Sequence, residues 1–93
     1  MKAHTRTQQR HLDRIGEMSC IACEVLCMGR SSAQIHHIRE GRIERNHFLT
    51  IPLCPDHHTG TMASVHLAKP ALMRQLQMGS EFELLALVLE KLA

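Results

Sequence analysis

No stretch of about 18 consecutive apolar residues occurs in the chain, and its first ten residues, MKAHTRTQQR, are polar, so neither a membrane span nor a secretory leader is expected. A soluble protein of the cytoplasm is the expectation. Internal repeats, low-complexity tracts and Pro/Gly/Ser-rich linkers are also missing, which argues for one domain over residues 1–93 with a short tail at about 1–5. Net charge is only +2, too little by itself to indicate a polyanionic partner. A core this small rarely contributes more than about 3–5 kcal/mol of net stability, so a further cross-link is expected.

Metal-capable side chains are abundant by contrast. The 93 residues hold eight histidines and four cysteines, more than a fold of this size needs. In a reducing compartment, cysteines spaced as Cys20-x2-Cys23, Cys27 and Cys54 point to thiolates on a metal rather than to disulfides. The charge is also uneven. Residues 1–45 carry eight Lys/Arg against five Asp/Glu, and residues 46–93 carry three against four. Arg30, Arg39, Arg42 and Arg45 surround the pair His36-His37, and basic groups beside a metal site suit a phosphodiester backbone.

The order of elements is legible from local signals. Thr5 and Gln8 form a potential capping box, and Leu12, Ile15 and Met18 recur at helical spacing, which predicts a helix at about 6–17. The segments 33–38 and 48–53 are strand-like and are separated by Glu40-Gly41-Arg42, so they predict an antiparallel ribbon. Pro52 lacks an amide hydrogen and belongs on an edge or at a strand end. After Pro55 a short helix should carry His57 and His58. Pro70 opens a helix that runs to Met78, and Ser80 with Glu83 signals a capping box for a last helix at about 81–92. On that helix Phe82, Leu85, Leu89 and Leu92 share a face while Leu84, Leu87 and Val88 lie off it. This predicts a helix sandwiched in the core rather than one covered by another subunit.

Two metal constellations follow. Cys20-x2-Cys23 and Cys54-x2-His57 place two pairs of donors on tight turns, as a closed tetrahedral Cys3His zinc site requires. Cys27 has no partner at such a spacing and is expected to be a small buried side chain. The second constellation is His36, His37, His58 and His66. Adjacent strand residues point to opposite faces, so one of His36 and His37 should ligate an ion while the other takes a proton from water. His58 and His66 would complete a three-histidine face with open positions for water and phosphate. Three imidazoles suit zinc or manganese, whereas magnesium prefers oxygen ligands. His4 and His11 are expected to be surface or satisfied core residues.

The segments His11-Leu12, CIAC from Cys20 to Cys23, AQIHHIR from Ala33 to Arg39, HFLTIPLCPDHH from His47 to His58, and His66 together resemble the HNH, or ββα-metal (His-Me finger), nucleases. More narrowly they resemble the Ref-type recombination-enhancement nucleases of phages, which cut DNA at sites marked by a RecA filament. The likeness covers most of residues 11–66 and touches Gly79-Ser80-Glu81. It implies an α+β fold, a small zinc-stabilised ββα-metal core with an N-terminal helix and two C-terminal helices. It further implies a phage- or prophage-encoded enzyme of the bacterial cytoplasm that uses structural Zn2+ and a catalytic Mg2+, Mn2+ or Zn2+. Position by position, His36 and His58 match metal ligands and His37 the general base. His66 matches a further ligand eight residues after His58, where four is usual. The middle Asn of the motif, which orients the base, has His47 as first and Asn46 as second counterpart. The family's long basic N-terminal arm has no equivalent in this chain, which has only about ten residues before the resemblance begins.

Two function classes therefore compete. One is a metal-dependent DNA endonuclease or nickase, with DNA and a RecA filament as partners. The other is a non-catalytic zinc-ribbon module that binds nucleic acid or protein. A ribbon module needs the cysteines but has no use for His36, His37, His58 and His66 together.

Overall fold

The computed structural model describes residues 4–93, and the first three residues of the expected tail lie outside it. Five α-helices and a two-stranded antiparallel sheet follow in the order α1 (Arg6–Glu17), α2 (Ile21–Val25), β1 (Gln34–His37), β2 (Thr50–Leu53), α3 (Pro55–Thr59), α4 (Lys69–Leu76) and α5 (Glu81–Leu92). A 3-10 turn at Glu40–Arg42 interrupts the loop between the strands. Among the described residues no helix is long and apolar enough to cross a membrane.

Local chemistry accounts for most of these boundaries. Thr5 Oγ1 accepts from the Gln8 amide and the Gln8 side chain accepts from the Thr5 amide, so the expected capping box opens α1. Leu12 and Ile15, on the same side of α1, are buried. Helix α2 stands where a bare Cys-x-x-Cys turn was expected. It closes with Cys27 at φ 57°, whose amide and that of Met28 donate to Glu24 and Cys23 carbonyls. That left-handed position leaves Cys27 exposed, not buried as the sequence suggested.

The ribbon pairs Gln34 with Leu53, Ile35 with Pro52, His36 with Ile51 and His37 with Thr50. With only two strands both are edges, and Pro52 is accommodated there while fully buried. The two faces of β1 separate its side chains. A β-carbon on Gly16 of α1 would lie 3.7 Å from Ile35, which puts α1 over the Ile35/His37 face. Gln34 and His36 point the other way, toward α3.

Helix α5 lies in the core as expected, but it buries one face instead of being sandwiched on several. Glu81, Leu84, Leu85 and Val88 are its buried residues, and Phe82 and Leu89 are 38% and 48% exposed. Its cap also differs. Ser80 Oγ accepts from the Phe82 amide, and Glu83 turns back to the Gly79 amide instead of closing a box on Ser80. A carboxylate from elsewhere in the chain also sits at this helix end: Glu40, in the inter-strand turn, accepts from Ser80 Oγ at 3.0 Å and from the Glu81 amide at 2.5 Å. An anion at a helix N-terminus is favoured by the unpaired amides and the helix dipole. Helix α4 ends earlier than Met78, at Gln77 with φ 58°.

Among the described residues, His11 is the one whose side chain holds a buried polar atom without a hydrogen-bond partner. Its ring lies 5.2 Å from that of Phe48, its Nε2 is buried without a hydrogen-bond partner, and burial followed by the nearby Arg14 lowers its pKa. A histidine with a depressed folded pKa resists protonation in the native state, so its full contribution to stability is present above the unfolded value of about 6.5 and is lost as pH falls below it. His11→Leu removes that sensitivity. The variant should melt higher than the parent, by a margin that widens between pH 7.5 and 5.5 in thermal melts. A constant margin contradicts the assignment.

Candidate metal centres

Two short helices supply the first cluster by the same device used twice. Cys20 is the N-cap of α2 and Cys23 lies one turn on; Cys54 is the N-cap of α3 and His57 lies one turn on. The four side chains are buried and their donor atoms all lie within 4.8 Å of one another. Cys23 Sγ and Cys54 Sγ are 3.7 Å apart, and His57 Nδ1 is 3.5 Å from Cys20, 3.5 Å from Cys23 and 3.3 Å from Cys54. A tetrahedral zinc with bonds of about 2.3 Å to sulfur and about 2.0–2.1 Å to nitrogen sets its ligands about 3.8 Å (S–S) and about 3.5 Å (S–N) apart. The spacings fit that tetrahedron. Burial pushes the Cys20 thiol up to about 12, so ionising it calls for a cation at this point. Burial also lowers the His57 pKa, against a smaller opposing effect of Asp56, and keeps the imidazole neutral as a ligand must be. A second layer braces the thiols: Ser31 Oγ donates to Cys23 Sγ at 3.2 Å and the Cys23 amide to Cys20 Sγ at 3.4 Å. The cluster could bind zinc.

The second cluster joins β1, α3 and the loop beyond it. His36, His58 and His66 offer nitrogens within 4.8 Å of one another. The Nε2 atoms of His58 and His66 are 3.2 Å apart, inside the range of about 3.0–3.4 Å that two imidazoles sharing an ion at about 2.0–2.1 Å would show. Outer partners fix the tautomers. Gln34 Oε1 lies 2.8 Å from His58 Nδ1, so that nitrogen donates and Nε2 keeps its lone pair toward His66. His36 is buried and its Nε2 lies 2.5 Å from Glu81 Oε1. Desolvation first, and then the neighbouring His36 and His66, lower the His58 pKa, which again favours the neutral, ligating form.

His37, on the other face of β1, stands apart from this cluster. Its Nε2 is 3.0 Å from Nδ1 of His47. Desolvation, then the charge of Arg45 and the rings of His47, His36 and His4, bring its pKa down to about 4. Asn46 is used differently: its Oδ1 accepts from the Phe48 amide and tightens the turn into β2. The ring of His4 lies against that of His47, tilted by 58° with centroids 4.2 Å apart. Of the four arginines, Arg39, Arg42 and Arg45 are exposed on the inter-strand loop, with Arg39 Nε donating to the Ile43 carbonyl. Arg30 lies elsewhere, lining a cavity with Glu17, Met18 and Ser19.

Glu81, Lys69, Glu40 and Gln34 were not singled out from sequence. Lys69 Nζ reaches Glu81 at 2.8 Å and Glu40 at 3.0 Å. Burial alone would raise the Glu81 carboxyl, but hydrogen bonds from His36 and Lys69 hold it at about 2. The available signal was an acid at position 81 on the stripe 84, 85, 88, where an apolar residue would be expected.

Cys20→Ser and Cys54→Ser should each lower the metal content of the purified chain by one zinc and either unfold it or depress its melting temperature. In zinc-finger peptides such a site contributes an apparent ~10–16 kcal/mol, beyond what this core can replace. Elemental analysis and circular dichroism melts check this. Full zinc content with unchanged melting in either variant would sink the Cys3His assignment.

None of the curated proteins matches this chain. A family model does: residues 4–93 match the family described as "Recombination enhancement, RecA-dependent nuclease". The match spans nearly the whole chain and takes in both clusters, and the chain is therefore a member of the recombination-enhancement, RecA-dependent nuclease family.

Proposed function

We propose that this chain is an HNH-type, metal-dependent DNA endonuclease or nickase that acts with a RecA filament, and that β1, β2 and α3 form its ββα-metal core. The observation that carries the reading is the division of labour at one strand: His36 joins His58 and His66, while the next residue, His37, pairs with His47. The family's description supports a nucleic-acid substrate and the involvement of RecA.

In this reading His36, His58 and His66 hold a divalent cation, with Zn2+ or Mn2+ suited to the imidazoles and Mg2+ the oxygen-preferring alternative. When bound, the ion supplies Lewis-acid stabilisation of charge on the phosphate and the leaving 3′ oxygen, worth several kcal/mol. His37 is the general base that removes a proton from water. His37 Nε2 lies 3.0 Å from His47 Nδ1; in this reading His47 takes the acceptor role, which leaves the lone pair of His37 on Nδ1 and holds the ring in one orientation. His47 rather than Asn46 thus takes the base-orienting role, because Asn46 is committed to its own turn. Arg39, Arg42 and Arg45 form the phosphate-contacting edge in this reading, with help from Arg30.

The deciding assay is plasmid cleavage with Mg2+, Mn2+ or Zn2+, with and without single-stranded DNA and RecA. His37→Ala should reduce cleavage by about 10²–10⁴-fold, the usual worth of a general base, while retaining two metal equivalents per chain. His36→Ala and His58→Ala should retain only one. If His37→Ala loses metal and His36→Ala keeps it, the two roles are exchanged. A wild-type chain that binds one equivalent and cleaves nothing would instead be a zinc-ribbon binding module.

Binding of a DNA duplex should weaken with salt at a slope of about −0.9 per neutralised phosphate contact. The triple variant Arg39→Gln, Arg42→Gln, Arg45→Gln should flatten that slope by up to about 2.7, three times that value, measured by fluorescence anisotropy across a salt series. Unchanged affinity and slope would place the DNA path elsewhere.

A further inference from the structure

Glu81 comes from the far end of the chain and reaches a residue of the ribbon. Its carboxylate is buried, lies 2.5 Å from Nε2 of His36, and is held on its other oxygen by Lys69 Nζ at 2.8 Å. The same lysine bridges to Glu40, and Glu40 in turn accepts from the Glu81 amide and from Ser80 Oγ. The carboxylate is thus held by His36 and Lys69, while Glu40 holds that lysine and the Glu81 backbone amide, which is far more support than a helix cap requires. An ionised carboxylate has no proton to donate, so His36 donates from Nε2, and in the neutral, ligating form of the ring the lone pair is on Nδ1. Carboxylate-to-histidine contacts of this kind orient a ligating imidazole and raise its basicity.

We propose that Glu81 is a positioning residue for His36, held in place by Lys69 and Glu40, and that it sets the affinity of the three-histidine site for its divalent cation.

The inference rests on the metal-site reading of the previous section, and it assigns α4 and α5 a part in that site. Gln34 does the equivalent for His58 from the opposite side, so two of the three imidazoles would be oriented by partners that touch no metal. The two partners differ in charge. Glu81 brings a full negative charge to the imidazole, whereas Gln34 brings only a carbonyl dipole.

The test is titration of the zinc-loaded full chain with Mn2+ and Co2+, the latter followed by its visible absorption, in wild type, Glu81→Gln and Lys69→Gln. Glu81→Gln keeps size and one acceptor but removes the charge, and should weaken binding of the second metal by about 10–100-fold, the range found for such outer partners. The zinc content of the Cys3His cluster should not change. Lys69→Gln should weaken the second metal as well, by less than Glu81→Gln. A role limited to capping α5 would lower the melting temperature and leave the affinity alone, which overturns the proposal. If Glu81→Gln fails to fold, Lys69→Gln decides by the same affinity measurement, since Lys69 is one-third exposed at the start of α4. A wild-type chain that takes up no second metal overturns both this proposal and the site itself. Binding by wild type with unaltered affinity in both variants overturns the proposal alone.

Discussion

The meeting of two helix N-termini at Cys20, Cys23, Cys54 and His57 is the constraint on which the rest of this small domain depends. Helices α2 and α3 have five residues each, well short of the ~12–15 at which an isolated helix begins to hold together. Neither would persist unless tied down. A zinc ion held by donor atoms at this tetrahedral spacing would tie both at once, across a sequence separation of 34 residues between Cys20 and Cys54. The β-ribbon lies between the two knuckles in sequence, so fixing the knuckles also fixes where its strands start and end.

From that point the geometry propagates by single residues. His57 is turned into the Cys3His cluster, and its neighbour His58, on the same short helix, is turned toward β1. One helical turn thus belongs to both clusters. On β1 the pleat performs a second division: His36 faces α3 and α5, and His37 faces His47 and the start of α1. The clusters are consequently ordered in dependence. With zinc in the first cluster, disrupting the cysteines would release α3 and with it His58, whereas removing an imidazole from the second cluster would leave the cross-link between α2 and α3 untouched.

Much of this was legible in the sequence because short-range chemistry dictated it. The spacing of Cys20-x2-Cys23 and Cys54-x2-His57 located the first cluster, and the pairing of adjacent histidines with His58 and His66 located the second. The capping box of Thr5 and Gln8 formed as expected because both partners are local. What could not be read were interactions between residues distant in sequence. Ser80 and Glu83 carry a box signature, but Glu40, about forty positions earlier, claims that helix end. Glu81, its amide bound to Glu40 and its side chain drawn to His36 and Lys69, lies on the same buried face of α5 as positions 84, 85 and 88. Phe82 and Leu89 turn outward despite their hydrophobicity. Hydrophobic periodicity gave several candidate stripes, and a buried charge lies on the one turned inward.

That placement links stability to chemistry in a particular way. A buried carboxylate is costly unless paired, and Glu81 recovers the cost through His36, Lys69 and its own capped backbone. Replacing Glu81 together with its partners by apolar residues of similar volume is often neutral for folding, whereas removing one partner alone strands the others. Stability alone therefore gives little reason to place an acid on this stripe. A reason appears once His36 is considered as a ligand, because a neutral imidazole has two tautomers and only one leaves the required nitrogen free. The C-terminal helices, which a minimal ribbon-and-helix core would not need, acquire a role through this single contact.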